Sequence, residues 1–245
     1  MTRVGKEQSG RHQLYWVADN VIADHFPDVD RALRDPDGLL AIGGDMSAAR
    51  LMDAYPRGIF PWYNEGQPIL WWSPDPRCIL IPEELRISRS LRKILRKDLF
   101  RVTCNQAFEE VIRRCAGPRQ GVAETWITDD VIRAYTELHQ AGHALSVECW
   151  QGERLAGGLY GVVMGRIYFG ESMFSHVSDA SKVALVHLTE MLKARNFRLI
   201  DCQVHSRHLQ SLGAKPVPRK LFVNILEHDC SVETPDDWPA ESALP

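Results

Sequence analysis

Three apolar, β-rich runs follow one another with almost no chain between them, at residues 145–150, 155–164 and 167–173. Two-residue turns that contain glycine separate them, at 151–152 and 165–166. Connections this short join antiparallel neighbours, because a parallel pair needs a crossover of a dozen or more residues. The runs therefore predict an antiparallel meander, around which the rest of the chain must pack.

Helical and extended segments surround this meander. Apolar residues recur with a helical period over 129–140, and again in a second helix capped by Ser178 or Asp179. A strand is expected at 199–204, and after a short helix a final strand is expected at 221–226. Strands and helices in this order predict an α+β fold.

The first 72 residues predict a small N-terminal α/β domain. Ser47 is a suitable N-cap for a short amphipathic helix that must stop before Pro56. The larger domain is expected at 73–228, and an acidic, loose tail at 229–245.

Composition sets limits on the class of protein. The 245 residues are 44% hydrophobic and 25% charged, as in a soluble globular protein. The N-terminus lacks the apolar core of a signal peptide, so the cytoplasm is expected and a membrane partner is not. The six cysteines lack the close spacing of a zinc or redox motif and are interpreted as reduced structural thiols. Two pairs of histidines have a spacing typical of metal ligands, His139/His143 and His205/His208. Neither pair has an acidic or cysteine ligand beside it, so no metal is expected.

The net charge of -3 hides a strongly basic segment. Residues 77–119 hold 11 basic and five acidic side chains. Five of the basic residues share one face of a predicted helix whose cap is Ser88 or Ser90. They are Arg89, Arg92, Lys93, Arg96 and Lys97. A solvated face is one interpretation, and a phosphate-binding surface, favoured by the one-sided clustering, is the other.

An aromatic loop precedes this basic segment. The sequence reads GIFPWY at 58–63 and ILWWSPDPR at 69–77, which brings three of the seven tryptophans within eleven residues. Flat aromatic faces held by prolines suit stacking on a nucleobase. A stiff connector that fills its own small core is the alternative.

Together with DPDGLLAIGGDMS at 35–47, GESMFS at 170–175 and LIDCQV at 199–204, this loop gives four motifs in a fixed order. In these motifs the chain resembles the leucyl/phenylalanyl-tRNA protein transferase family, from about Phe26 to Phe222. The resemblance implies a GNAT-like acyltransferase domain. It also implies transfer of Leu, Phe or Met from aminoacyl-tRNA to proteins beginning with Arg or Lys, which are then degraded through the N-degron pathway. No cofactor is implied, and a monomer is expected.

The strand predicted at 199–204 carries the candidate catalytic residues. A strand period puts Asp201 and Gln203 on one face, where a carboxylate and an amide can hold an attacking amine. A hydrogen-bonded pair that closes a sheet edge is the structural alternative. The resemblance implies a catalytic role for both residues, and leaves open whether Asp201 is a base or only orients Gln203.

Substrate contacts are expected nearby. Glu171 is implied by the resemblance to contact substrate, and it could pair with the acceptor's N-terminal side chain or α-ammonium group, or form a structural salt bridge. The aminoacyl pocket is expected to use Met173 and Ile200, completed by Leu159, Tyr168 and Leu188. Trp62 is the candidate for stacking on the terminal adenosine or for bordering the pocket.

Two other functions remain open from the sequence. A CoA-dependent GNAT acetyltransferase would need a glycine-rich pyrophosphate loop, but residues 174–182 contain no glycine. A noncatalytic RNA-binding module would use only the basic helix and the tryptophans.

Overall fold

The computed structural model describes residues 14–19, 26–117 and 125–242. Residues 1–10, for which no signal peptide is expected, and the basic residue Arg119 lie outside these ranges. The first sheet has the strand order β1-β2-β4-β3. Its elements are β1 (Tyr15–Val17), β2 (Leu39–Gly43), α1 (Ala48–Ala54), β3 (Phe60–Pro61) and β4 (Leu70–Trp72).

The second sheet is seven-stranded and has the order β11-β5-β10-β9-β8-β7-β6. Its strands and associated helices are β5 (Arg77–Leu80), α2 (Arg89–Leu95), β6 (Arg101–Cys104), α3 (Phe108–Cys115), α4 (Asp129–Gln140), β7 (Ala144–Gln151), β8 (Arg154–Met164), β9 (Ile167–Ser175), α5 (Ala180–Ala194), β10 (Leu199–Gln203), α6 (Arg207–Ser211), β11 (Lys215–Val217) and α7 (Arg219–Asp229). The fold is therefore a mixed α+β fold.

The predicted meander is confirmed as β7, β8 and β9, which pair antiparallel along their length. Gly165 adopts a φ of 57° in the second turn. A Cβ there would lie 2.0 Å from the backbone oxygen of Asp229, so only glycine fits between this turn and the end of α7. The helices at 129–140 and after Asp179 are confirmed as α4 and α5, and the helix before Pro56 as α1 with a Ser47 cap.

The second sheet is covered on both faces. Along β8, Tyr160 and Val162 belong to one buried cluster, while Leu159 and Val163 belong to another, as the alternation of a strand requires. The first cluster includes residues of the first sheet, α3, α4 and α7. The second includes residues of α2 and α5. The fold thus has three layers with the second sheet in the middle.

The strand predicted at 221–226 is wrong, because these residues lie inside α7. Phe222 and Leu226 are four positions apart and both fully buried, which is a helical spacing that a six-residue window does not separate from a strand. The last strand of the sheet is the shorter β11, which pairs antiparallel with β5.

The tail that the sequence predicts to be loose makes tertiary contacts as far as Ser242. Trp238 packs against Phe197, and the backbone nitrogen of Ser242 donates to the carbonyl of Val102. The guanidinium of Arg195 pairs with Asp237. One half-buried aromatic side chain and these polar contacts fix a segment whose composition alone indicated a loose tail.

The first sheet shares its core with the second. Buried residues of both belong to one apolar cluster, and Tyr55, just after α1, packs its ring 4.9 Å from that of Phe169 in β9. The division into domains at residue 72 stays a prediction. In the parts of the chain that the structure describes, no helix is both long and apolar enough to cross a membrane.

Candidate active site

The site forms where two parallel strands separate. β9 and β10 pair at only three positions, between Ile167–Phe169 and Leu199–Asp201. Beyond them β9 pairs only with β8, and Gln203 of β10 pairs with β5. A cavity of about 270 Å³ lies at this separation. The splay therefore opens a space in the middle layer, reached by side chains from both strands.

Eight of the nine residues predicted for catalysis or substrate binding line this cavity. They are Asp201, Gln203, Glu171, Met173, Ile200, Leu159, Tyr168 and Leu188. Apolar side chains make up one wall, since Leu159, Leu188 and Ile200 all belong to the cluster shared with α5. The tertiary structure thus brings together residues from four elements that the sequence proposed separately.

Glu171 is the centre of the polar wall. Its side chain accepts three hydrogen bonds: from the hydroxyl of Tyr55 at 2.8 Å, from that of Tyr135 at 3.0 Å, and from Nε2 of Gln203 at 2.8 Å. No cation pairs with it among the described residues. Burial raises the pKa of Glu171 from 4.5 to about 7, against the lowering effect of the tyrosine hydrogen bonds. A carboxyl group with this pKa exchanges protons near neutral pH.

Tyr55 and Tyr135 were missed by the sequence analysis. They come from different elements, yet their hydroxyl oxygens lie 2.5 Å apart and both rings are fully buried. In the sequence, each tyrosine occupies an apolar position of a helical pattern, which does not indicate a role for its hydroxyl. The available signal is that a buried tyrosine hydroxyl needs a hydrogen-bond partner, and Glu171 is a buried acceptor for both.

Asp201 has a different kind of partner. It is fully buried, and its two carboxylate oxygens accept from Nε and Nη2 of Arg77 at 2.8 and 2.7 Å. Arg77 also donates to the carbonyl of Gly58, and its guanidinium lies 4.7 Å from the ring centroids of Phe60 and Phe222. Arg77, counted in the basic segment by sequence, is therefore a buried structural cation.

The expectation that Asp201 and Gln203 share one face of a regular strand is wrong. The register of β10 against β5 shifts between them, and Gln203 has a φ of 58°. The backbone N–H of Gln203 donates to Oδ1 of Asp201 at 2.9 Å. The bulge turns the Gln203 side chain to Glu171, while Asp201 holds the backbone that makes this possible.

Two tyrosine hydroxyls in the cavity lack a partner. Tyr160 and Tyr168 both line it, both are buried, and neither hydroxyl has a hydrogen-bond partner among the described residues. A buried hydroxyl without a partner is unfavourable by about 1 to 3 kcal/mol.

Trp62 does not line the cavity. It is 46% exposed and packs beside Trp72, whose Nε1 donates to the Trp62 carbonyl at 2.7 Å. Trp126, which the sequence analysis did not single out, lines the cavity instead. Trp71 is fully buried and donates to the carbonyl of Gly43, so the aromatic loop fills its own core as well as presenting Trp62.

The basic helix is α2, with Ser88 as its N-cap. Leu91 faces inward, and the five predicted cationic side chains are exposed. Only Arg89, Arg92 and Lys93 lie in α2, since Arg96 is its C-cap and Lys97 follows in the next turn. None of the five has an ion-pair partner among the described residues, in contrast to Arg113 and Arg114, which pair with Glu109 and Glu110. α2 packs on α5, which forms a wall of the cavity. A free cationic surface therefore lies near the site.

The chain is similar to known proteins over most of its length. A family profile described as leucyl/phenylalanyl-tRNA protein transferase matches residues 79–227, and the profile of that family's N-terminal domain matches residues 44–75. A protein named leucyl/phenylalanyl-tRNA–protein transferase from Pseudomonas syringae pv. syringae (strain B728a) is 53% identical over 93% of this chain and 98% of its own length. Proteins of the same name from Azotobacter vinelandii and Stutzerimonas stutzeri are each 54% identical, over 88% and 93% of this chain and 95% and 100% of their own. The chain belongs to the leucyl/phenylalanyl-tRNA protein transferase family.

Proposed function

We propose that this protein transfers Leu, Phe or Met from aminoacyl-tRNA to the α-amine of proteins that begin with Arg or Lys, which marks them for degradation. It acts as a monomer in the cytoplasm and needs no cofactor. Family membership supports the reaction class. The observation that carries the proposal is a single cavity with an apolar wall and, opposite it, a hydrogen-bonded carboxyl and amide.

The apolar wall receives the side chain of the transferred amino acid. Leu159, Leu188 and Ile200 are fixed by the core, while Met173 is only partly buried and adaptable in shape. Such a wall accepts Leu, Phe and Met alike and offers nothing to a charged side chain.

The reaction itself needs little beyond positioning. The α-amine nitrogen attacks the ester carbon, the carbon–oxygen bond to the ribose breaks, and the ribose oxygen leaves with a proton. The ester is already activated, and an α-amine with a pKa near roughly 7.7 to 8.0 has a reactive neutral fraction. Holding the two groups in contact contributes much of a barrier reduction of about 7 to 11 kcal/mol.

Glu171 handles the proton that the amine loses. A pKa of about 7 leaves a large ionised fraction at neutral pH. Its Oε1 already accepts from Tyr55 and Gln203, but Oε2 accepts only from Tyr135 among the described residues, so one acceptor position remains there. That position suits the acceptor's α-amine. Ion pairing of Glu171 with the acceptor's Arg or Lys side chain is the alternative role.

Gln203 and Asp201 have unequal parts. The amide nitrogen of Gln203 is held by Glu171, which leaves its carbonyl oxygen to accept from the amine. Asp201 has both carboxylate oxygens bound by Arg77 and acts as a positioning residue, through the Gln203 backbone. Of the two roles that the sequence left open for Asp201, orientation is the one that this contact pattern favours.

The tRNA is proposed to lie along α2 and the aromatic loop. The five unpaired cations of α2 and the turn after it contact phosphates, and Trp62 stacks on the terminal adenosine. The fold of the second domain is proposed to be GNAT-like, supported by the splayed parallel pair β9 and β10 in an otherwise antiparallel sheet.

The decisive experiment is transfer of labelled leucine from Leu-tRNA to a peptide that begins with Arg, beside peptides that begin with Asp and Ala. Acetyl-CoA serves as the control donor. Label on the Arg peptide alone is expected. Label on the Asp peptide would overturn the acceptor assignment, and tRNA binding without any transfer would favour the RNA-binding module.

Variants separate chemistry from binding. Gln203→Ala and Glu171→Gln are expected to lower turnover by about 10²-fold or more, with tRNA affinity unchanged. Asp201→Ala is expected to lower turnover as well, because it releases the Gln203 backbone. Normal turnover in any of the three would remove that residue from the mechanism. Glu171→Lys tests side-chain pairing, since only that role predicts a switch of preference to acidic acceptors.

A further inference from the structure

Two cysteines lie side by side at the bulge of β10. Register pairs Gln203 with Cys78 of β5, and the shift between Asp201 and Gln203 leaves Cys202 as the extra residue beside this pair. Cys78 and Cys202 both face the apolar cluster shared with α5. Adjacent antiparallel strands bring such residues within the Cα separation of about 4.4 to 6.8 Å that a disulfide requires.

The two side chains are neighbours, because they lie at adjacent positions of paired strands and on the same face of the sheet. The neighbouring Cys202 lowers the pKa of Cys78, and Arg77 acts in the same direction, while burial and Asp201 oppose it. Cys78 and burial raise the pKa of Cys202 well above its usual value, and the Cys202 Sγ donates to the carbonyl of Ile200 at 3.9 Å. Cys78 is therefore the better nucleophile of the two.

Three of the other described cysteines lack this environment. Burial raises the pKa of Cys104, Cys149 and Cys230 to about 12 in each case. The sulfur pair is also next to the cavity. Cys202 is half-buried and lines it, whereas Cys78 is buried behind it. A small molecule that enters the cavity therefore contacts Cys202 and lies one side chain away from Cys78.

We propose that Cys78 and Cys202 form a peroxide-sensitive dithiol that closes to a disulfide and switches the cavity off. The Cys78 sulfur attacks one oxygen of hydrogen peroxide, the O–O bond breaks, water leaves, and Cys78 becomes a sulfenic acid. The Cys202 sulfur then attacks the Cys78 sulfur, the S–O bond breaks, and a second water leaves with that oxygen and the Cys202 thiol proton. Peroxide is the oxidant, and each cysteine loses one hydrogen.

Closure acts on Gln203, the residue next to Cys202. A disulfide requires the sulfurs to approach to about 2.05 Å, which is much closer than two sulfur atoms lie when no bond joins them. This movement pulls the bulge that holds the Gln203 backbone and its 2.8 Å contact with Glu171. A shift of about 1 Å in such a group lowers a rate by about 100-fold. Transient, redox-sensing disulfides are the kind found in reducing compartments.

The test uses the full chain, hydrogen peroxide, thiol blocking and tryptic digestion. Trypsin releases Cys78 in CILIPEELR, residues 78–86, and Cys202 in LIDCQVHSR, residues 199–207, each with one cysteine. The expected product is these two peptides linked, with transfer of leucine lowered by about 10- to 100-fold and restored by dithiothreitol. The mass readout does not depend on the proposed function, so failure of the transfer assay alone leaves it interpretable.

Cys78→Ala, with Cys78→Ser in reserve for folding, is the matched variant. It is expected to keep its initial activity and to lose the part of the inhibition that dithiothreitol reverses. Cys149→Ala is the control and should behave like the unmodified protein. Absence of the linked peptide at doses that oxidise either cysteine, or a linked peptide with full activity, would overturn the switch.

Discussion

Glu171 and Asp201 are two buried carboxyl groups on neighbouring strands of one sheet, and they have opposite environments. Asp201 is bound by a guanidinium through both oxygens. Glu171 is bound only by neutral donors, two tyrosine hydroxyls and one amide. The comparison teaches that burial alone does not define a role. A cation fixes a carboxylate as structure, whereas neutral donors leave its proton exchangeable near neutral pH.

The largest effect is expected from removing the cation. Arg77→Met leaves the Asp201 charge buried and unpaired, which should lower the free energy of unfolding by about 3 to 5 kcal/mol. Urea unfolding at neutral pH measures it. The control is Arg113→Met, whose pair with Glu109 is exposed and should change stability by less than about 0.5 kcal/mol. Equal small changes in both variants would show that Arg77 does not fix Asp201.

The second-largest effect should be an increase in the free energy of unfolding, when Glu171 is replaced by Gln. The pKa of Glu171 is raised from 4.5 to about 7, so the folded state binds this proton more tightly. The associated stabilisation is fully present below the unfolded pKa and is lost as pH rises through about 7, which amounts to about 3 kcal/mol. Glu171→Gln cannot ionise. It should therefore stabilise the fold by about 3 kcal/mol at about pH 8.5, and it should change the free energy of unfolding little at about pH 4.5.

Thermal and urea unfolding at the two pH values check this prediction. Asp201→Asn is the matched variant, and it should destabilise at neutral pH because it leaves Arg77 without its partner charge. Loss of stability in Glu171→Gln at high pH would mean that Glu171 is structural, as Asp201 is.

A smaller effect is expected at the tyrosine pair. The hydrogen bond from Tyr135 lowers the pKa of Glu171, so Tyr135→Phe should raise it further. The acidic limb of the pH profile of kcat/KM should move up by about one unit, since a hydrogen bond to a charged group contributes about 1.5 kcal/mol. Tyr63→Phe, whose hydroxyl lies near Thr128, is the control and should leave the profile in place. An unmoved profile in Tyr135→Phe would separate Glu171 from proton transfer.

The smallest effect on stability should come from charges outside the comparison. Arg92 and Lys93 on α2 are exposed, so the double change to Ala should alter the free energy of unfolding by less than about 0.5 kcal/mol. It should instead reduce the salt dependence of tRNA binding by about one unit of slope per charge. Filter binding at several salt concentrations measures this. An unchanged slope would place the phosphate-binding surface elsewhere.

Local chemistry was enough to predict much of the fold. The turns at 151–152 and 165–166 determine the meander, and Ser47 and Pro56 determine the bounds of α1. The six-residue run at 221–226 was not enough, because helix and strand periods bury similar residues over so short a distance. The prediction of a loose tail was wrong for a related reason, since the order of the tail depends on Trp238, which packs against the distant Phe197.

The sequence by itself determined which residues are candidates for the chemistry: the GESMF and LIDCQV motifs predict Glu171, Asp201 and Gln203, and the apolar positions beside them. Only the tertiary structure decided the partners and the burial of these residues. The bulge in β10, the burial of Arg77 and the meeting of Tyr55 with Tyr135 all depend on contacts between residues far apart in the chain. A residue's type sets what it can donate or accept, but its pKa and its partners are set by what the fold packs around it.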